Sequence, residues 1–61
     1  MLNQNLGDCA KYFVKRFPNA PLDGTALHLQ TYYKINGDGK VYTFNDFRDA
    51  LIQAMEEERN K

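Results

Sequence analysis

Cys9 and His28 are the two residues of this sequence best suited to nucleophilic or general-base chemistry, and each is the only residue of its type. A cysteine nucleophile needs a neighbouring base, and that base needs a third group to orient it. The sequence indicates no such set, because Cys9 falls on an apolar stripe, where a cysteine behaves as a small hydrophobe. We therefore predict a buried Cys9, a surface His28 and no enzymatic activity.

The segment from Asn36 to Val41, Asn-Gly-Asp-Gly-Lys-Val, has the pattern found at the centre of a calcium-binding loop. However, Lys34 stands at the first ligand position and Asn45 stands where a bidentate glutamate is required. A closed zinc site needs four ligands, and Cys9 and His28 supply only two. There is also no glycine-rich phosphate loop. We therefore predict no metal and no cofactor.

Three basic residues, Lys11, Lys15 and Arg16, lie close together in the first third of the chain. With Tyr12 among them, they are candidate nucleic-acid contacts. The net charge of zero argues against strong nonspecific binding to nucleic acid, which depends on neutralising phosphates. Acidic residues concentrate in the last third, so the fold could instead place the opposite charges of the two ends side by side.

Two segments show the periodicity of amphipathic helices. Residues 2–17 form the first helix, which could start as late as Asp8 because Gly7 weakens its first turn, and which Pro18 ends. Its apolar stripe consists of Leu2, Leu6, Cys9, Ala10, Phe13 and Phe17. Residues 40–61 contain the last helix, with Thr43 as N-cap and Asp46 as the capping-box acid. Tyr42 and Phe47 occupy the two positions of a hydrophobic staple.

The middle of the chain fits two structures. Alternation from Leu27 to Ile35, followed by Asn-Gly-Asp-Gly and a second apolar run, is typical of a β-hairpin. This favours an α+β fold of helix, β-hairpin and helix. In the alternative, Asp23 or Thr25 caps a helix over residues 25–34. That gives helix–helix–short hairpin–helix, a winged-helix-like fold. The predicted core comprises Phe13, Phe17, Leu29, Tyr33, Val41, Phe47, Leu51 and Met55.

Two helices can cover only one face of a hairpin, so several aromatic rings are predicted to remain exposed. Tyrosine is favoured at protein interfaces, and a hairpin has free edges that can pair with another strand. We therefore predict a small regulator or inhibitor that binds another protein, or forms a homodimer through the hairpin edge. The predicted contacts are Tyr32, Lys34, Tyr42 and Phe44. The alternative is a DNA-binding regulator that reads DNA through residues 25–34, with residues 36–39 as the wing tip.

The length of 61 residues predicts one domain, residues 1–61. Such a short chain has little stability to spare, and its single cysteine allows no internal disulfide. The sequence shows neither an export signal nor a run of transmembrane length. We therefore expect a cytoplasmic protein that does not bind a membrane.

Overall fold

The structure, a computed structural model, describes residues 4–60 and contains three α-helices over that range. Helix α1 spans Leu6–Arg16, α2 spans Leu22–Asn36 and α3 spans Phe44–Arg59. Helix α3 packs against both other helices, whereas α1 and α2 contact each other less extensively. Within residues 4–60, the only extended pairing is an isolated parallel bridge between Gln4 and Gly37. The protein is therefore a three-helix bundle.

The predicted α+β fold is wrong, because no β-hairpin forms within the described part of the chain. The predicted first strand lies inside α2, and residues 40–43 run as an irregular connection into α3. The winged-helix-like alternative is also wrong. A helix does cover residues 25–34, as that alternative required, but no hairpin follows it.

The cause of the error is that helix α2 carries apolar residues on more than one face. Ala26, Leu29 and Tyr33 recur at helical spacing and are buried. Leu27 and Ile35 are exposed, and together with the buried residues they create the alternation that predicted a strand. Helical and strand periodicities therefore coexist in one segment, and tertiary packing selects the helix.

The boundaries of the outer helices follow the local signals of the sequence. Asn5 caps α1 by accepting a hydrogen bond from the Asp8 N–H at 2.8 Å, and the helix stops before Phe17 and Pro18. The capping box at Thr43 and Asp46 is confirmed in both directions. The staple is confirmed as well, since the Tyr42 and Phe47 rings pack edge to face. Leu2, placed in the predicted first helix, lies outside the described residues.

The core lies where the three helices meet and contains five of the eight predicted residues: Phe13, Leu29, Tyr33, Phe47 and Leu51. Met55 is only partly buried against it. Phe17 and Val41 were wrongly assigned to the core. Phe17 follows the last residue of α1 and is about half exposed. Val41 lies in the irregular connection and is 97% exposed. The sequence reasoning missed Val14, which is buried on α1.

Candidate protein-docking groove

An apolar groove runs between α1 and α2, and no residue of α3 lines it. It consists of two adjoining cavities of about 230 and 540 Å³ that share Phe13 and His28. We call this feature the α1–α2 groove. Its other lining residues are Phe17, Ala20, Pro21, Gly24, Thr25, Leu27, Thr31, Tyr32, Ile35 and Asn36.

Packed aromatic rings from both α1 and α2 form one wall of the groove. The Tyr32 ring stacks on Tyr12 with 5.8 Å between centroids and meets Phe13 edge to face at 5.4 Å. The Phe13 ring also contacts Phe17 at 6.0 Å. The Tyr32 hydroxyl donates a hydrogen bond to Gln4 Oε1 at 3.2 Å, which fixes its polar end. These contacts hold the aromatic side chains of the groove wall against one another.

Exposed apolar side chains concentrate at this groove. Seven large apolar side chains are exposed within residues 4–60, and four of them line the groove or stack on its wall: Tyr12, Phe17, Leu27 and Ile35. Ile35 is 72% exposed, so burying it against a partner would remove much apolar surface from water. Clustered apolar exposure of this kind marks an interaction site more often than scattered single residues do.

A positive charge lies at the rim of the groove, and none of the described residues that line it carries a carboxylate. On the rim, the Arg16 guanidinium lies 6.0 Å from the centroid of the Tyr12 ring. Asp23, which precedes the lining residue Gly24, points to α3 instead. There its carboxylate makes an ion pair with Arg48 at 2.9 Å.

The structure brings two of the four predicted protein-binding residues together, since Lys34 and Tyr42 line one pocket, and it places the other two elsewhere. Tyr32 lies in the α1–α2 groove. Tyr42 is half-buried, packed edge to face against Tyr33 and Phe47 at 5.5 and 6.1 Å. Phe44 is the first residue of α3 and is partly exposed. Lys34 is exposed on the part of α2 near Tyr42.

The predicted nucleic-acid contacts face the acidic end of the chain. Lys11 Nζ lies 3.4 Å from Glu57, and Lys15 Nζ lies 3.9 Å from Glu58, both across the α1–α3 boundary. Arg16 points instead toward the aromatic wall of the groove. The basic and acidic ends of the chain thus form ion pairs with each other. The three basic side chains therefore do not form one unpaired patch.

The side chains considered for catalysis and metal binding lie apart from one another. Cys9 is buried, as predicted, and burial raises the pKa of its thiol, which donates to Gln4 Oε1 at 3.4 Å. His28 is exposed in the groove. Among residues 4–60, no three His, Cys, Asp or Glu side chains lie close enough to hold a metal ion. No helix in the same range is long and apolar enough to cross a bilayer.

The sequence reasoning placed Tyr12 among the basic surface residues of α1 but missed Phe17, Leu27 and Ile35 as surface-forming residues. A helical projection of α2 would have given the signal, since Leu27, Thr31 and Ile35 recur every four residues outside the buried stripe. Reading the same residues as a strand concealed this second face.

Comparisons of this chain with family models, curated proteins and solved structures give no match. What the α1–α2 groove binds is therefore inferred from its own residues.

Proposed function

We propose that this protein is a non-enzymatic interaction module that binds another protein, as a small regulator or inhibitor, by accepting a partner helix in the α1–α2 groove. The observation that carries the proposal is the concentration of exposed Tyr12, Phe17, Leu27 and Ile35 along a groove that already has a packed aromatic wall. The proposal includes a cytosolic location, in keeping with a single cysteine.

A helix suits the groove because two neighbouring helices form it. Helix α3 already uses one side of the α1–α2 pair, burying Phe47, Leu51 and Ala54 between them. The groove gives the pair a second side of the same kind. A partner helix with apolar residues at three- and four-residue steps would lay its apolar face into that side, as in other helix-in-groove complexes.

The positive charge at the groove rim indicates which charge the partner helix should carry. Arg16 on the rim favours a helix that carries carboxylates beside its apolar stripe, and no carboxylate among the described lining residues opposes it. Complementary charge of this kind sets orientation and the rate of association more than it sets affinity. We therefore expect a partner helix that is apolar on one face and acidic along one flank.

Paired variants on exposed positions test the proposal. Ile35→Asp places a charge in the groove, and Ile52→Asp places the same charge on an exposed isoleucine of α3 that lines no part of the groove. Proteins captured from a native lysate by the unmodified chain are compared quantitatively with those captured by each variant. The affinity of the purified partner is then measured. We expect Ile35→Asp to weaken binding at least about tenfold and Ile52→Asp to leave it unchanged.

Several results would overturn the proposal. One is a partner that binds both variants as tightly as it binds the unmodified chain. Another is a mass in solution that rises with concentration and depends on Ile35, since this would assign the groove to a second copy of the chain. A third is DNA binding that weakens steeply with salt and is lost when Lys11, Lys15 and Arg16 are neutralised.

A further inference from the structure

A second pocket, of about 240 Å³, lies between the C-terminal half of α2 and the connection that leads into α3. We call it the lysine pocket. The residues that define its chemistry are Tyr33, Lys34, Lys40, Val41, Tyr42 and Phe47. It shares no lining residue with the α1–α2 groove, so it is a separate feature of the surface.

The aromatic part of the lysine pocket is a fixed structure. Tyr33 is buried and meets Tyr42 and Phe47 edge to face, with centroid distances of 5.5 and 5.9 Å. The Tyr33 hydroxyl donates a hydrogen bond to the Asp38 carboxylate, and the Lys40 backbone N–H donates to the same oxygen at 3.2 Å. These two hydrogen bonds to Asp38 hold the connection against α2 and so fix the shape of the pocket.

The described lining of the pocket carries two lysines, Lys34 and Lys40, and no carboxylate. Asp38, the one acid in the connection, is engaged by Tyr33 and does not line the pocket. Its attraction to Lys40 offsets part of one charge. Neither Lys34 nor Lys40 forms an ion pair with a described residue, in contrast to Lys11 and Lys15 on α1. An apolar residue, Val41, stands beside these two cations and is almost fully exposed.

We infer that the lysine pocket binds a short acidic peptide segment of another protein, with carboxylates at Lys34 and Lys40 and an apolar side chain against Val41 and Tyr42. Two cations around an apolar concavity match a segment that combines both kinds of side chain. A free phosphate would leave the apolar surface exposed to water. A flat bilayer surface would not fill the concavity.

Titration of the isotopically labelled protein with synthetic peptides tests this inference by NMR. The probe is acetyl-Asp-Glu-Leu-Glu-Asp-amide, and the matched control is its neutral counterpart, acetyl-Asn-Gln-Leu-Gln-Asn-amide. We expect saturable shifts of the Gly39 and Val41 amides with the acidic peptide only. The double variant Lys34→Gln/Lys40→Gln should raise the Kd at least about fivefold. The double variant Lys11→Gln/Lys15→Gln, which removes equal charge elsewhere, should leave the Kd unchanged.

Four results would overturn the inference. The first is that the acidic peptide gives no saturable shift. The second is that the two double variants weaken peptide binding equally, which would indicate diffuse electrostatic attraction. Inorganic phosphate alone could saturate the same amides at similar affinity, which would indicate a small-anion site. Finally, vesicles of phosphatidylserine and phosphatidylcholine could bind the protein in a manner lost in Val41→Asp, which would assign the surface to a membrane.

Discussion

Gly37 occupies a position where α2 leaves no room for a side chain. A Cβ at Gly37 would overlap with the carbonyl oxygen and the ring of Tyr33. The Gly37 N–H also donates to that carbonyl at 2.7 Å and closes the last turn of the helix. We expect Gly37→Ala to lower the free energy of unfolding by about 2–4 kcal/mol, because either the ring or the closing bond must give way. Urea unfolding followed by circular dichroism measures this.

Gly24 is the matched control, since it lies on the same helix and a Cβ added there would meet no atom within 4 Å. At this position an alanine restricts the unfolded chain and favours the helix, so Gly24→Ala should be neutral or stabilising by up to about 1 kcal/mol. Equal effects of the two substitutions would show that close approach to Tyr33 is not what requires glycine at position 37.

The buried Tyr33 hydroxyl makes the free energy of unfolding fall as the pH becomes alkaline. Burial, followed by the hydrogen bond to Asp38, raises the pKa of Tyr33 to about 12. The unfolded chain releases the same proton near pH ~10. The stabilisation from neutral Tyr33 is therefore complete below about pH 10 and is lost as the pH rises toward about 12.

The free energy of unfolding, measured by urea titration at several pH values between about 9 and 12, should fall more steeply in the unmodified chain than in Tyr33→Phe. Phenylalanine keeps the ring contacts and removes the titrating hydroxyl. Parallel curves for the two proteins would contradict the role given to Tyr33.

At the level of single helices, the start of α3 is set by its capping box. The Thr43 hydroxyl accepts from the Asp46 N–H at 3.3 Å, and the Asp46 carboxylate accepts from the Thr43 N–H at 2.9 Å. We expect Thr43→Ala to destabilise the protein by about 1 kcal/mol, because the Asp46 N–H at the start of the helix loses the hydroxyl oxygen that accepts its hydrogen bond. Thermal unfolding measures the change.

The comparison for Thr43→Ala is Thr31→Ala, on the exposed part of α2. The Thr31 hydroxyl donates only to the Leu27 carbonyl one turn earlier, at 3.3 Å. Since alanine is the better helix former, Thr31→Ala should be neutral or slightly stabilising. A loss at position 31 as large as that at position 43 would argue against the capping box as the source of stability.

At the scale of the whole bundle, stability depends on the hydrophobic core that the three helices share. Leu51 is fully buried on α3, whereas its neighbour Ile52 is 38% exposed. We expect Leu51→Ala to cost about 2–5 kcal/mol, because it removes contacts and leaves a cavity in the shared core. In a chain of this length, that is a large share of the total stability.

The control is Ile52→Ala, which removes a similar side chain from the same helix and should cost under about 1 kcal/mol. Both values come from denaturant unfolding. If the two substitutions cost the same, the α3 stripe would not be the element that holds α1 and α2 together.

Features that depend on neighbouring residues follow directly from the order of the amino acids. Pro18 ends the first helix because the residue before a proline avoids helical geometry. The last helix begins just after Thr43 because the Thr43 and Asp46 side chains each accept a hydrogen bond from the other residue's backbone N–H. Cys9 is buried because it shares a stripe with Ala10 and Phe13. Each of these signals depends on residues that lie within a few positions of one another in the sequence.

The conformation of residues 22–43, by contrast, was settled by the packing of the three helices. The segment from Leu27 to Ile35 fits a strand or a helix, and Gly37 can serve a hairpin turn or the end of a helix. The helix prevails because α1 and α3 together bury Ala26, Leu29 and Tyr33, which no strand could place on one face. That outcome turns Leu27 and Ile35 outward into the α1–α2 groove. The position of the candidate site therefore depended on long-range packing that the local sequence does not encode.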